Sequence, residues 1–289
     1  MINIAIPTQD EIWVAAGKYF PTSYPSGCST CGTAGSSNRN NTFLLKSGLK
    51  IYGGFAGTET ARANRNPHLN ETILSGDLGI KYETNDNAYH VVTAIDCSNT
   101  TVLERFTIEA GNANGSTSVT VAGRTYYRSW GGGVLCVYSP IRIALCAIVY
   151  NQATDGGGVL NTASNPYITN SVIAKNTATA GGGGIYNHEG SAADIRNCTI
   201  VQNTANVAGG VMYNYNSGLY LINAIVWNNT SAGFPGIANN GSTVTGISCN
   251  LQGGYGPPSI SWSYCFSAEP QFINADFPEG IDGKWGSRD

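Results

Sequence analysis

The sequence predicts an all-β solenoid in which coils of about 25 residues stack in parallel. Glycine triplets stand at 131–133, 156–158 and 182–184, the last preceded by Gly181, and a doublet at 209, spaced by 25, 26 and 27. Behind each run stand the same landmarks in the same order: Val134-Leu135-Cys136, Val159-Leu160-Asn161, Ile185-Tyr186-Asn187 and Met212-Tyr213-Asn214. Composition agrees. Charged residues make up 11% of the 289, against about 25% in an average domain, whereas glycine numbers 37 and asparagine 30.

Each unit contains three short apolar runs that alternate in and out and are separated by Gly, Asn, Ser or Thr, the pattern of strands and turns. The second run is Ile143-Ala144-Leu145-Cys146, Ile168-Thr169-Asn170-Ser171, Ile195-Arg196-Asn197-Cys198 and Leu221-Ile222-Asn223-Ala224. The third centres on Ile148, Ile173, Ile200 and Val226, followed three residues later by Asn151, Asn176, Asn203 and Asn229. A strand so short finds backbone partners only in the next coil, ~4.8 Å away. Three long parallel sheets around a narrow apolar core follow. Asn170, Asn197 and Asn223 share one turn position, so their amides are expected to stack as a ladder that satisfies turn backbone groups.

Earlier strands are expected within 11–16, 43–55, 72–76, 88–95 and 101–110. Residues 20–42 are expected to project as a loop, and 111–130 to form a long turn. The repeat blurs beyond about residue 235, and 253–289 is expected to cover the C-terminal end, since an open last coil exposes a sheet edge. The whole chain, 1–289, reads as a single domain.

The chain resembles a right-handed parallel β-helix of the pectin-lyase-like superfamily, and more narrowly the surface and secreted β-helix repeat proteins of Bacteroidetes-type bacteria. The residues that carry this are Asp10 to Gly17 (DEIWVAAG), Leu49 to Glu59 (LKIYGGFAGTE), Ile73 to Asp77 (ILSGD), the repeated glycine runs, and Glu269-Pro270-Gln271-Phe272-Ile273. The resemblance implies the fold and an extracellular or cell-surface location. It does not imply one activity, because such folds serve lyases, hydrolases and adhesins alike.

Several classes are excluded. A net charge of -3 with 10% aromatics argues against disorder, and 15 basic against 18 acidic residues leave no footprint for nucleic acid. No apolar run is long enough for a membrane span. Cys28 and Cys31 have the spacing of half a zinc site without a second half; a local disulfide or two free thiols fits better. No signal peptide is visible, and the abrupt first strand suggests a piece of a longer protein.

Function is read from the outward columns. Tyr186, His188, Glu189 and Tyr213, with Trp130 and Tyr127 from the long turn, combine aromatic and polar groups as sugar-binding surfaces do, and polysaccharide or a cell-surface glycan is the expected partner. If the chain is an enzyme, Asp194, Arg196 and Arg142 are the lyase candidates, and Asp155, Glu189 and Asp194 the hydrolase candidates. Asp276, Glu279, Asp282 and Asp289 form a loose set of hard oxygen ligands for which Ca2+ is the suitable cofactor. The third sheet's outer face, Val149, Val201 and Trp227 included, is apolar. It must be covered by the chain's own C-terminal segment or by self-association. A binding or adhesive module is therefore the leading expectation, a polysaccharide lyase or glycosidase the second, and a self-assembling structural protein the third.

Overall fold

The computed structural model describes residues 11–33, 35–234, 236–252 and 260–272. It is a right-handed parallel β-helix. Among the described residues the coils build four parallel sheets, not three, of seven, nine, eight and five strands. One full coil runs Val134–Val137, Arg142–Ala144, Ala147–Val149 and Gln152–Ala153. The next repeats it at Val159–Thr162, Tyr167–Thr169, Val172–Ala174 and Thr177–Ala178. Register is kept along the stack: Val134 pairs with Val159, Val159 with Ile185, and Ile185 with Met212. The fourth sheet consists of two-residue strands such as Thr177–Ala178 and Thr204–Ala205.

The core is the inward column of each sheet. Ile143, Ile168, Ile195 and Leu221 on the second sheet meet Ile148, Ile173 and Ile200 on the third, and all are 0% exposed. Burial of one such side chain stabilises by about 1.5–3 kcal/mol. Corners follow a rule of their own. A residue with positive φ turns the chain, and the next side chain points inward to bond the neighbouring coil. At the second corner the turning residues include Arg105, Leu145, Asn170, Asn197 and Asn223, with φ between 50° and 67°. The inward residues that follow include Cys146, Ser171 and Cys198, each 2% exposed.

This rule corrects the expected ladder. Asn170, Asn197 and Asn223 do stand at the second corner, but they are exposed. Only one amide bond links them, from Asn223 Nδ2 to Asn197 Oδ1 at 2.7 Å, while Asn170 Nδ2 donates to Thr169 Oγ1. The buried ladder is Asn151, Asn176, Asn203 and Asn229 at the third corner. There each side-chain amide donates to the next Oδ1 at 2.9–3.1 Å. A second buried column, Asn161, Asn187 and Asn214, is linked at 2.8 and 2.7 Å.

Three loop expectations are also revised. Residues 20–42 do not project: Cys31 is 1% and Asn41 0% exposed, and Cys28 is bonded to Cys31 as a disulfide. Residues 118–127 form an antiparallel hairpin, Ser118–Val121 against Arg124–Tyr127. Beyond residue 235 the repeat persists, since Ile237–Asn240, Thr243–Ile247 and Asn250–Leu251 make another coil. Ile260–Ser263 then adds one more strand to the second sheet. There the Trp262 indole occupies the space left by Gly246, where even a Cβ would come within 1.9 Å of it.

The third sheet's outer face is covered within the chain. Ala147, Val149, Ala174 and Val201 form a buried cluster against which Val172, Trp227 and Phe272 pack. Val149 is 0% and Val201 4% exposed, whereas Trp227 is half-buried. The proposed calcium ligands Asp276, Glu279, Asp282 and Asp289 lie outside the described residues.

Candidate functional site

Leu135 and Leu160 point outward from the first sheet, yet both are fully buried. Insertion and hairpin fold over them as a second apolar core of Cys31, Val119, Val121, Tyr126 and Val137, with Trp130 and Tyr186 at its margin. The hairpin earns this position through alternation: Val119, Val121 and Tyr126 face in while Ser118, Thr120 and Thr125 face solvent. Arg128 ties the two segments together. Its Nε donates to Asn40 Oδ1, its Nη2 to the Thr30 carbonyl, both at 2.6 Å, and its Nη1 to Thr117 Oγ1 at 2.5 Å.

Where this cover ends, the sheet face becomes aromatic. Parallel pairing places Tyr186 beside Tyr213 and His188 beside Tyr215 in consecutive coils. Tyr186 and Tyr213 stack with centroids 5.1 Å apart and planes 13° apart. His188 and Tyr215 stack at 5.7 Å and 17°. Trp130 joins the row, 4.9 Å from His188 and 4.8 Å from Tyr127. Thus Tyr127, Trp130, Tyr186, His188 and Tyr213 come together as the sequence suggests, and Tyr215 belongs with them. Because the stacked rings face one another across the coil spacing, they offer solvent their edges and polar atoms more than their faces.

Asp155 lies at the same place. Its backbone bridges to Trp130, and its Oδ1 accepts a hydrogen bond from the Gly181 N–H at 3.3 Å. Burial raises its pKa, opposed by that bond and by the charge of His188. His188 moves the other way: burial lowers its pKa, while Glu189 and Asp155 pull it up. Its Nδ1 is 3.4 Å from Thr162 Oγ1. Burial, reinforced by Asp155, raises the Tyr186 phenol. Glu189 itself is exposed, at a turn with φ 22°. The result is a half-sheltered carboxyl, an imidazole and phenol groups beside an exposed carboxylate, a set able to exchange hydrogen bonds with a hydroxyl-rich ligand.

The other candidates do not converge on it. Asp194, Arg196 and Arg142 sit on the second sheet, Arg142 and Asp194 in register with Tyr167 and Arg196 with Thr169. Arg196 makes two bonds of 2.7 Å to Asp194, and this pairing raises its pKa. An arginine held protonated in this way is poorly suited to abstract a proton. Arg142 and Arg196 lie on either side of Tyr167, each 5.7 Å from its ring centroid. Among the described residues no group of His, Cys, Asp and Glu is arranged to hold a metal ion.

Comparison with protein-family models, curated proteins and solved structures returns no similar sequence or fold. The site's own geometry therefore carries the functional argument. No helix among the described residues is long and apolar enough to cross a membrane. Sequence reasoning missed Tyr215, although Tyr213-Asn214-Tyr215 alternates in plain view, and it missed the arginines around Tyr52 described below.

Proposed function

We propose that this chain is a polysaccharide-binding β-helix module, displayed on or outside the cell in the manner of the surface β-helix repeat proteins it resembles. The observation that carries this reading is the joining of Trp130 and Tyr127 to the Tyr186–Tyr213 and His188–Tyr215 stacks beside Asp155 and Glu189. A rigid row of aromatic edges and hydrogen-bonding groups suits a glycan chain laid across successive coils. The disulfide in the 20–42 insertion accords with an oxidising location.

Affinity electrophoresis against neutral and acidic polysaccharides tests it, comparing the wild type with Tyr213→Ala and Trp130→Ala. Retardation weakened by both variants is expected; retardation that neither variant alters would refute the assignment.

A hydrolytic second reading rests on Asp155, whose raised pKa beside the exposed Glu189 is the environment of a general acid. Release of reducing ends, abolished in Asp155→Asn, would move the chain to that class. Absorbance at 235 nm would instead signal a lyase, the activity the paired Arg196 disfavours.

A further inference from the structure

In an earlier coil, Lys50–Phe55 is a strand of the second sheet, and the loop that follows it folds back over that sheet. Gly53 and Gly54 allow it: a Cβ on Gly53 would lie 2.2 Å from the Arg105 carbonyl, and one on Gly54 2.6 Å from Pro67. Glu59 closes the bend by accepting from the N–H groups of Ala56, Gly57 and Thr58 at 2.7–3.1 Å. The returning loop brings Arg62 over the Tyr52 ring, 4.5 Å from its centroid, and Arg65 beside it at 5.4 Å.

Two of these cations are already matched. Arg62 pairs with Glu11 at 3.1 Å. Arg65 pairs with Glu104 and donates to the Gly53 carbonyl at 3.2 Å. Arg105 differs: it has no ion pair among the described residues, and its buried Nε has no hydrogen-bond partner. Its pKa is lowered by burial and then by the charge of Arg65, which Glu104 only partly offsets. Two clefts meet at this side chain. One, of about 550 Å³, is lined by Arg62, Ala63, Arg65, Pro67, Glu104 and Arg105. The other, of about 190 Å³, shares Pro67 and Arg105 and includes Glu71, whose Oε1 accepts from Thr107 Oγ1 at 2.9 Å.

A buried, unpartnered donor on a permanently charged group costs free energy unless something fills its place. The fork of a guanidinium matches a planar or tetrahedral oxyanion. We propose that Arg62, Arg65 and Arg105 form a second binding site, separate from the aromatic row, that accepts a carboxylate or sulfate group carried by an acidic polymer or free in solution. Arg105 supplies the guanidinium whose Nε is unpartnered, Arg65 the neighbouring charge, and Arg62 the exposed rim. Glu104 keeps Arg65 oriented. The proposal does not depend on the aromatic row's binding glycan.

The test uses the full chain and Arg105→Asn, which keeps at this corner the residue type that Asn170, Asn197 and Asn223 supply at the same left-handed position. Binding is measured by calorimetry to polygalacturonate, chondroitin sulfate, dextran and sodium sulfate, with melting temperature as the folding control. Loss of at least about tenfold in affinity for an acidic polymer, with dextran unaffected, is expected from removing one charge-assisted contact. Arg62→Gln should weaken binding less, and added salt should weaken it generally. Arg105-dependent binding of sodium sulfate without polymer binding would identify the ligand as a free anion. Equal affinity of wild type and a folded Arg105→Asn for every anion overturns the proposal. Tyr213→Ala serves as the separate control: a loss there with none in Arg105→Asn would leave the aromatic site standing and remove this one.

Discussion

Asn203 receives two hydrogen bonds from Asn176 through one oxygen: the backbone N–H donates to Oδ1 at 3.1 Å and the side-chain Nδ2 at 3.0 Å. The Nδ2 of Asn203 in turn donates to the carbonyls of Ile173 and Val201 and to Asn229 Oδ1. Both asparagines are 0% exposed, so water cannot replace the bonds that Asn203 makes.

Replacing Asn203 by Ala should therefore destabilise the chain by about 2–4 kcal/mol, the scale of several buried polar groups left unmet. Asn197→Gly, at an exposed corner with φ 54°, should cost under about 1 kcal/mol because glycine accepts that conformation. Urea unfolding of the two variants beside the wild type checks the contrast. Equal losses would show that the buried column has no special weight.

His90 gives a pH dependence with a defined sign. It is buried, its Nδ1 lies 3.0 Å from the Gly131 carbonyl, and burial lowers its pKa to about 4, opposed by backbone hydrogen bonds and aided by Arg128. The unfolded chain takes up a proton near pH 6.5, and the folded chain only near 4. Between these values the unfolded state holds more protons, so stability should fall as pH drops, by up to about 1.4 kcal/mol per unit. His90→Gln should flatten that slope in melting curves taken from pH 7 to 4. An unchanged slope would mean that His90 does not govern it.

Buried thiols should be silent in the native state. Burial raises Cys146 to about 12 and Cys198 and Cys249 to about 11, and it raises Cys136 also. A thiol reacts as thiolate, so iodoacetamide at pH 8 should modify these four only after denaturant is added. Mass spectrometry of the labelled native protein checks this. Rapid native labelling of any of them would show that its coil opens.

Phe272 packs against the cluster of Val149, Ala174 and Val201. Phe272→Asp should loosen that cover and expose an apolar stripe, read as stronger dye binding and earlier elution in gel filtration. A monomer with unchanged dye binding would show that the face is protected without Phe272.

The solenoid was legible because its inward columns are uniform: Ile143, Ile168, Ile195 and Leu221 differ little, and the glycine runs mark each return. The fourth sheet was hidden by its brevity, since strands such as Thr177–Ala178 are too short for alternation to register. The ladder was misplaced by one kind of corner for a similar reason. At the second corner the exposed turning residue is Asn, while the buried one is Cys146, Ser171 or Cys198, which reads as core. The hairpin signal was present in Val119, Val121 and the Ala122-Gly123 turn, but its target, Leu135 and Leu160, looked like solvent-facing sheet. The aromatic row was recoverable from coil register alone. Arg105 was not, because its significance lies in contact with a loop that returns from about 40 positions earlier in the chain.

Coil register has one further consequence, for length. Val159 pairs with Ile185 in the same way that Ile185 pairs with Met212, so each internal coil presents matching upper and lower edges. The chain behaves like a graduated rod, in which adding or removing a coil changes extent by ~4.8 Å and leaves the cross-section alone. Arg105 and Asn197 occupy the same corner three coils apart, joined through Leu145 and Asn170. The axial distance from the arginine cleft to the level of His188 is thus a counted quantity of ~14 Å, set by the number of repeats between them.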